Sequence, residues 1–142
     1  MSMQPSSATD PGTGFIAALA ARDFSRLAGT LAPEVRMRAL IPPGLVEISG
    51  AEAAAAKFES WFGDAEEFGL IRSGSDAVAD RLHVFYRLRV KNPGNVPKLV
   101  EQHVFCTLDT DRINGLDLVC TGFRPHTEAC LDDEPDAVLG SR

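Results

Sequence analysis

A chain of 142 residues with 14 Lys and Arg against 20 Asp and Glu has a net charge of −6, and 44% of its residues are hydrophobic. This length and composition fit one globular domain that buries about two thirds of its unfolded surface, so no disulfide or metal staple is required. The acidic balance argues against a nucleic-acid backbone or an anionic membrane as partner, and no stretch has the apolar length of a transmembrane helix.

Residues 1–11 are expected to be a disordered N-terminus. Met1 to Thr9 are small and polar, and the start lacks both the basic region and the apolar run of a secretory leader. Cys106, Cys120 and Cys130 are odd in number and show no C-x-x-C spacing, so they read as reduced thiols of a cytoplasmic protein. No Cys/His cluster has metal-ligand spacing, and no cofactor is called for.

Asp10-Pro11 reads as an N-cap followed by proline at the first helical position, with Phe15, Ile16, Leu19 and Ala20 on one apolar face. Asp23 caps a second short helix, in which Phe24, Leu27, Ala28 and Leu31 recur at helical spacing and Pro33 is the stop. Val35–Leu40 and Leu45–Ile48 are brief strands around the Pro42-Pro43-Gly44 turn. Ser49-Gly50-Ala51-Glu52 reads as a capping box that opens a helix to Phe62, bearing Phe58 and Trp61. Candidate strands follow at Phe68–Val78, Arg81–Lys91, Lys98–Asp109 and Arg112–Thr121. Beyond Pro125 the chain is acidic, and 126–142 is expected to be a flexible tail. Helices followed by a meander define an α+β domain over 12–125. Its curved, mixed or antiparallel sheet is expected to wrap around three N-terminal helices as a cone-shaped barrel enclosing a pocket.

Strand phase sorts the pocket residues. A two-residue turn at Thr110-Asp111 pairs Asp109 with Arg112 and Leu108 with Ile113, and continuing that register sets Val104 opposite Asp117. Setting Phe85 opposite Phe105 and Arg89 opposite Glu101 aligns the preceding hairpin. One face is then apolar except for Tyr86, Gln102, Asp117 and Thr121, and is assigned to the interior. The other mixes charge with apolar groups, including His83, Phe85, His103 and Phe105, which suits a homodimer contact.

A buried Asp117 would have a raised pKa suited to a general base, with Tyr86 donating to a developing enolate oxygen and Gln102 orienting a carbonyl or water. The same residues admit a structural reading, with Asp117 bonding a backbone amide and Tyr86 satisfied locally. Trp61, Val104 and Thr121 are the remaining candidates for the substrate pocket. His103 is the alternative base should the register shift by one residue.

Several short motifs in order carry a resemblance. They are Phe15-Ile16-x-x-Leu19, Asp23-Phe24-x-x-Leu27-x-x-x-Leu31-x-Pro33, Gly50 before a Trp-bearing helix, Asp111-Arg112-Ile113, and Cys120-Thr121-Gly122-Phe123-Arg124-Pro125. Over Gly12 to Pro125 the chain resembles the nuclear-transport-factor-2-like superfamily, with its SnoaL-like cyclases and ketosteroid isomerases. The resemblance implies a cone-shaped α+β barrel, commonly a homodimer. It also implies acid–base chemistry beside a carbonyl, to which Asp117 and Tyr86 would contribute. The second carboxylic acid of a ketosteroid isomerase has no counterpart here. Two functions follow as expectations: a cofactor-independent isomerase or cyclase acting on a small apolar metabolite, or a non-catalytic ligand-binding or dimerisation module.

Overall fold

The computed structural model describes residues 10–42 and 44–125. The expected disordered start, the acidic tail and Cys130 therefore lie outside the described residues, apart from Asp10 and Pro11.

Helix α1 (Pro11–Ala20) begins where the sequence places it: the Asp10 carboxylate accepts the Thr13 N–H at 3.0 Å, supplying one of the amides that the first turn leaves without a partner. Asp23 does the same for α2 (Phe24–Gly29) through Arg26 N at 3.1 Å. The second helix ends before Pro33, because the chain is already extended at Leu31. Strand β1 (Leu31–Ile41) contains that proline, followed by β2 (Gly44–Ser49), and only then comes α3 (Ala51–Phe62). The expected capping box does not form. Gly50 is the N-cap, at φ 98° and with no side-chain cap, and its N–H is bound by Val35 O. A left-handed φ suits glycine, so the residue turns the chain rather than capping it through a side chain. At the other end of α3 the Arg22 guanidinium donates to Phe62 O at 3.0 Å, the last carbonyl of the helix, and to Ala65 O at 2.9 Å in the turn that follows.

Strands β3 (Glu67–Val78), β4 (Arg81–Lys91), β5 (Lys98–Asp109) and β6 (Arg112–Cys120) form the long meander, and β7 (Arg124–Pro125) adds a short pairing to β5. The sheet order is β2-β1-β6-β5-β4-β3, all antiparallel except β1 against β6. It is a curved, mixed sheet with two free edges, β2 and β3, and is not a closed barrel. Helix α1 lies on β3 and β4, and α3 lies on β1 and β2. Phe15 joins the layers, meeting Phe58 edge-on at 5.5 Å and Tyr86 at 6.2 Å. No helix among the described residues is long and apolar enough to cross a membrane.

Two registers differ from expectation. In β4–β5 Tyr86 pairs with Gln102, and Phe85 with His103, a slip of two residues that preserves both faces. In β5–β6 the turn pairs Leu108 with Ile113 as expected, but Thr107 pairs with Gly115. Asn114 is therefore an extra residue, and this β-bulge reverses the phase of everything beyond it. Leu116 and Leu118 enter the core, while Asp117 and Val119 point outward.

Candidate functional site

On the concave side, paired strand positions stack Leu82, Cys106, Leu116 and Met37 in one row and Val84, Val104, Leu118 and Ala39 in the next. The third row is polar: Tyr86, Gln102 and Cys120. Gln102 is the buried polar residue among the described residues, and Tyr86 lies fully buried behind it. A buried polar group is costly unless bonded. Here the Tyr86 hydroxyl donates to Gln102 Oε1 at 2.6 Å, and Gln102 Nε2 donates to Cys120 Sγ at 3.3 Å. The Gly122 N–H also donates to that sulfur at 3.3 Å. Burial, with the nearby thiols of Cys120 and Cys106, holds the Tyr86 pKa well above its ordinary value, so the phenol stays neutral and acts as a donor.

This chain of bonds ends at a cavity of about 110 Å³ at the mouth of the cone, lined by Ile41, Pro42, Trp61, Gln102, Cys120, Gly122 and Phe123. Gln102 and Cys120 both line the cavity, and the Gln102 amide nitrogen is directed at the Cys120 sulfur. Trp61, carried by α3, lines the cavity and also packs against the core. Cys120, Phe123 and Ile41 were not among the sequence-selected residues. An unbroken hairpin register would put Cys120 on the outer face; the Asn114 bulge brings it opposite Gln102 instead, and the glycine after Asn114 is the sequence signal of that irregularity.

The remaining candidates separate. Asp117 is on the convex face with 34% of its side chain exposed, where its carboxylate accepts from Arg38 Nε at 3.0 Å and Arg81 Nη1 at 2.9 Å. Partial burial pushes its pKa up, but the two arginine hydrogen bonds and their charges outweigh that and hold it below the ordinary value. The buried base expected from the sequence is therefore absent. Thr121 lies past the strand end, exposed, with its hydroxyl accepting from Glu101 N and donating to Gly122 O, so it does not line the cavity. Val104 is fully buried core and also does not reach it. His103 stays on the convex face beside His83. Among the described residues, no group of three or more His, Cys, Asp or Glu is arranged to hold a metal.

The larger depressions are open. One of about 610 Å³ lies outside the cone between Gly29, Pro33, Gly50 and Arg112. Another, of about 260 Å³, crosses the convex face beside Arg38, Phe105 and Asp117.

No family model matches the chain, and no curated protein does. Solved structures match well at low identity. A ketosteroid-isomerase-like-fold protein from Catenulispora acidiphila, in complex with trimethylamine, superposes with a TM-score of 0.64 at 13% identity, over 82% of this chain and 85% of that one. An NTF2-like protein from Burkholderia xenovorans gives 0.61 at 15% identity, over 84% and 92%. The fold is that of the nuclear transport factor 2-like proteins. The same NTF2-like cone is found in a candidate polyketide cyclase from Xanthomonas campestris, at a TM-score of 0.63 and 15% identity over 79% of this chain and 88% of that one. At such identities the likeness describes the fold, and the site must be argued from its own residues.

Proposed function

We propose that this NTF2-like chain binds a small, largely apolar carbonyl compound at the mouth of the cone, without transforming it. The observation that carries this reading is the Tyr86–Gln102 bond, which engages the amide oxygen while the nitrogen is directed at Cys120 on the wall of a cavity shared with Trp61, Phe123, Ile41 and Pro42. Nε2 bears two hydrogens. One is directed at Cys120, and the second is suited to a ligand carbonyl. None of the residues lining the cavity is Asp, Glu or His. A volume of about 110 Å³ matches a single ring rather than a fused polycycle.

Trp61 is the only tryptophan, so its fluorescence reports the cavity directly. Titration with cyclohexanone is expected to give a saturable change. Gln102→Leu is expected to weaken binding by about fivefold, the worth of one net hydrogen bond. A linear, unsaturated response, or equal affinity in Gln102→Leu, rejects the reading.

A second reading, proton transfer beside the carbonyl as in isomerases and cyclases, draws support from the cone shared with the ketosteroid-isomerase-like and cyclase-like structures. Cys120 would be its base, since its thiol is the titratable group on the cavity wall. Deuterium uptake at the α-carbons of cyclohexanone in D₂O, accelerated by the protein and lost in Cys120→Ala, would favour this second reading over pure binding.

We also propose that two copies associate through the convex face. Leu40, Leu45 and Val119 are 55%, 60% and 48% exposed there, next to Phe105 and rimmed by ion pairs. Leu45→Glu with Val119→Glu is expected to shift a sedimenting dimer to monomer; an unchanged mass removes this contact.

A further inference from the structure

The convex face carries a cluster that ligand binding does not use. His83 on β4 and His103 on β5 sit diagonally, with Phe105 opposite the first and Phe85 opposite the second. His83 Nε2 is 3.0 Å from His103 Nδ1. The ring planes differ by 7° and the ring centres are 5.2 Å apart. That separation is close to the N···N distance plus one ring radius on each side, so both nitrogens lie near the line joining the centres and the rings are nearly coplanar. The outer nitrogens are bound as well: His83 Nδ1 is 3.2 Å from Asp76 Oδ1, and His103 Nε2 is 2.7 Å from Glu101 Oε2.

The hydrogens can be counted. Three contacts in series, Asp76···His83···His103···Glu101, need three hydrogens. Both ends are carboxylates, which only accept. Two neutral imidazoles bring two hydrogens between them, so one contact is left as a lone pair facing a lone pair or a carboxylate. Two imidazolium ions bring four, and two N–H groups then collide at the centre. Only the pair with a single shared positive charge fills all three contacts.

We propose that His83 and His103 form a one-proton binding site, a clasp across β3, β4 and β5 that is closed when the pair holds a single positive charge and open on either side of that state. Among the described residues, the charged groups on this face near the pair come from five strands. From β3 come Asp76 and Arg72, whose guanidinium lies 5.7 Å from the Phe85 ring centre. From β4 come Arg81, bound to Asp117, and Arg87, bound to Glu101 at 2.9 Å. Glu101 is on β5. Asp117 on β6 and Arg38 on β1 are bound to each other. The two carboxylates that touch ring nitrogens are the groups that select the single positive charge. Flanking Phe105 and Phe85, with centroids 4.8 and 5.6 Å from His83 and His103, limit water at the central contact. Because β3 is a sheet edge, the clasp makes the hold on that edge depend on pH.

Imidazole ¹⁵N resonances of the full-length protein, followed from pH 4 to 9, test the site. The wild type is expected to show His83 Nε2 and His103 Nδ1 shifting together in two separated steps, as coupled sites do. Asp76→Asn, at an exposed position that leaves the core intact, is expected to move the higher step to lower pH. Independent single-step curves for the two histidines overturn the proposal. So does an Asp76→Asn protein whose steps stay where they were.

Discussion

Asp117 stands opposite Phe105 across the β5–β6 ladder, so its carboxylate projects on the same side of the sheet as the Phe105 ring and away from the helices. There it accepts from Arg38 and Arg81. Asp117→Asn is therefore expected to leave cyclohexanone binding unchanged. Its folded pKa is depressed, so the stabilisation it contributes is present above the ordinary value of 3.8 and lost as pH falls through the lower folded value. Partly exposed ion pairs of this kind contribute at most about 1 kcal/mol each. Urea unfolding of the variant should show a small loss at pH 7 and a flatter acid limb than the wild type. An unchanged acid limb would separate the arginine contacts from stability.

The bulge at Asn114 determines which residues of β6 reach the core. Deleting Asn114 would remove the bulge and continue the hairpin register without interruption, leaving Gly115 opposite Thr107, Leu116 opposite Cys106 and Leu118 opposite Val104, so both leucines would still face the core. What is lost is the bend and the hydrogen bond that the Thr107 hydroxyl donates to Asn114 Oδ1, worth about 0.5–1.5 kcal/mol. The deletion is therefore expected to fold, with a melting temperature lowered by only a few degrees. A variant that fails to fold would mean that the sheet needs the bend at Asn114 and not only its register.

That bulge also marks the limit of what the sequence reveals. The helix starts at Asp10 and Asp23, the bounds of β4 and β5 and their two faces were legible, because capping carboxylates and two-residue alternation act locally. The two-residue slip between β4 and β5 was harmless for the same reason: moving by an even number keeps every side chain on its face. One inserted residue at Asn114 does the opposite, and its local mark in the sequence is the glycine that follows it, which signals a bend without fixing the phase beyond. Of the candidate site, Tyr86, Gln102 and Trp61 come together as a polar row and a mouth residue. Asp117 drops out and Cys120 replaces it for this single reason.

The two described cysteines should behave oppositely toward a thiol reagent. Burial pushes the Cys106 thiol up to about 12, so it stays protonated and enclosed at pH 8. Cys120 is partly exposed and borders the cavity. Brief treatment of the native protein with a maleimide, followed by peptide mapping, should label Cys120 and spare Cys106. Labelling should slow when cyclohexanone is present. Equal labelling of both would indicate that the cone opens far more readily than its packing implies.

Tyr86 and Gln102 should be energetically coupled. Tyr86→Phe leaves Gln102 Oε1 buried without its donor, a penalty of about 1–3 kcal/mol. Gln102→Leu leaves the Tyr86 hydroxyl in apolar surroundings, at a similar cost. The double variant removes both polar partners at once, so its loss in urea unfolding should fall short of the sum by about 0.5–3 kcal/mol. A further sign comes from pH. The folded pKa of Tyr86 is raised, so stability is retained below the ordinary tyrosine value of 10.0 and declines as pH rises above it. Tyr86→Phe should lose that part of the alkaline decline. Strict additivity of the two single variants would mean that the 2.6 Å contact does not hold the amide in place, and Gln102 would then be free to present its oxygen rather than its nitrogen to a ligand.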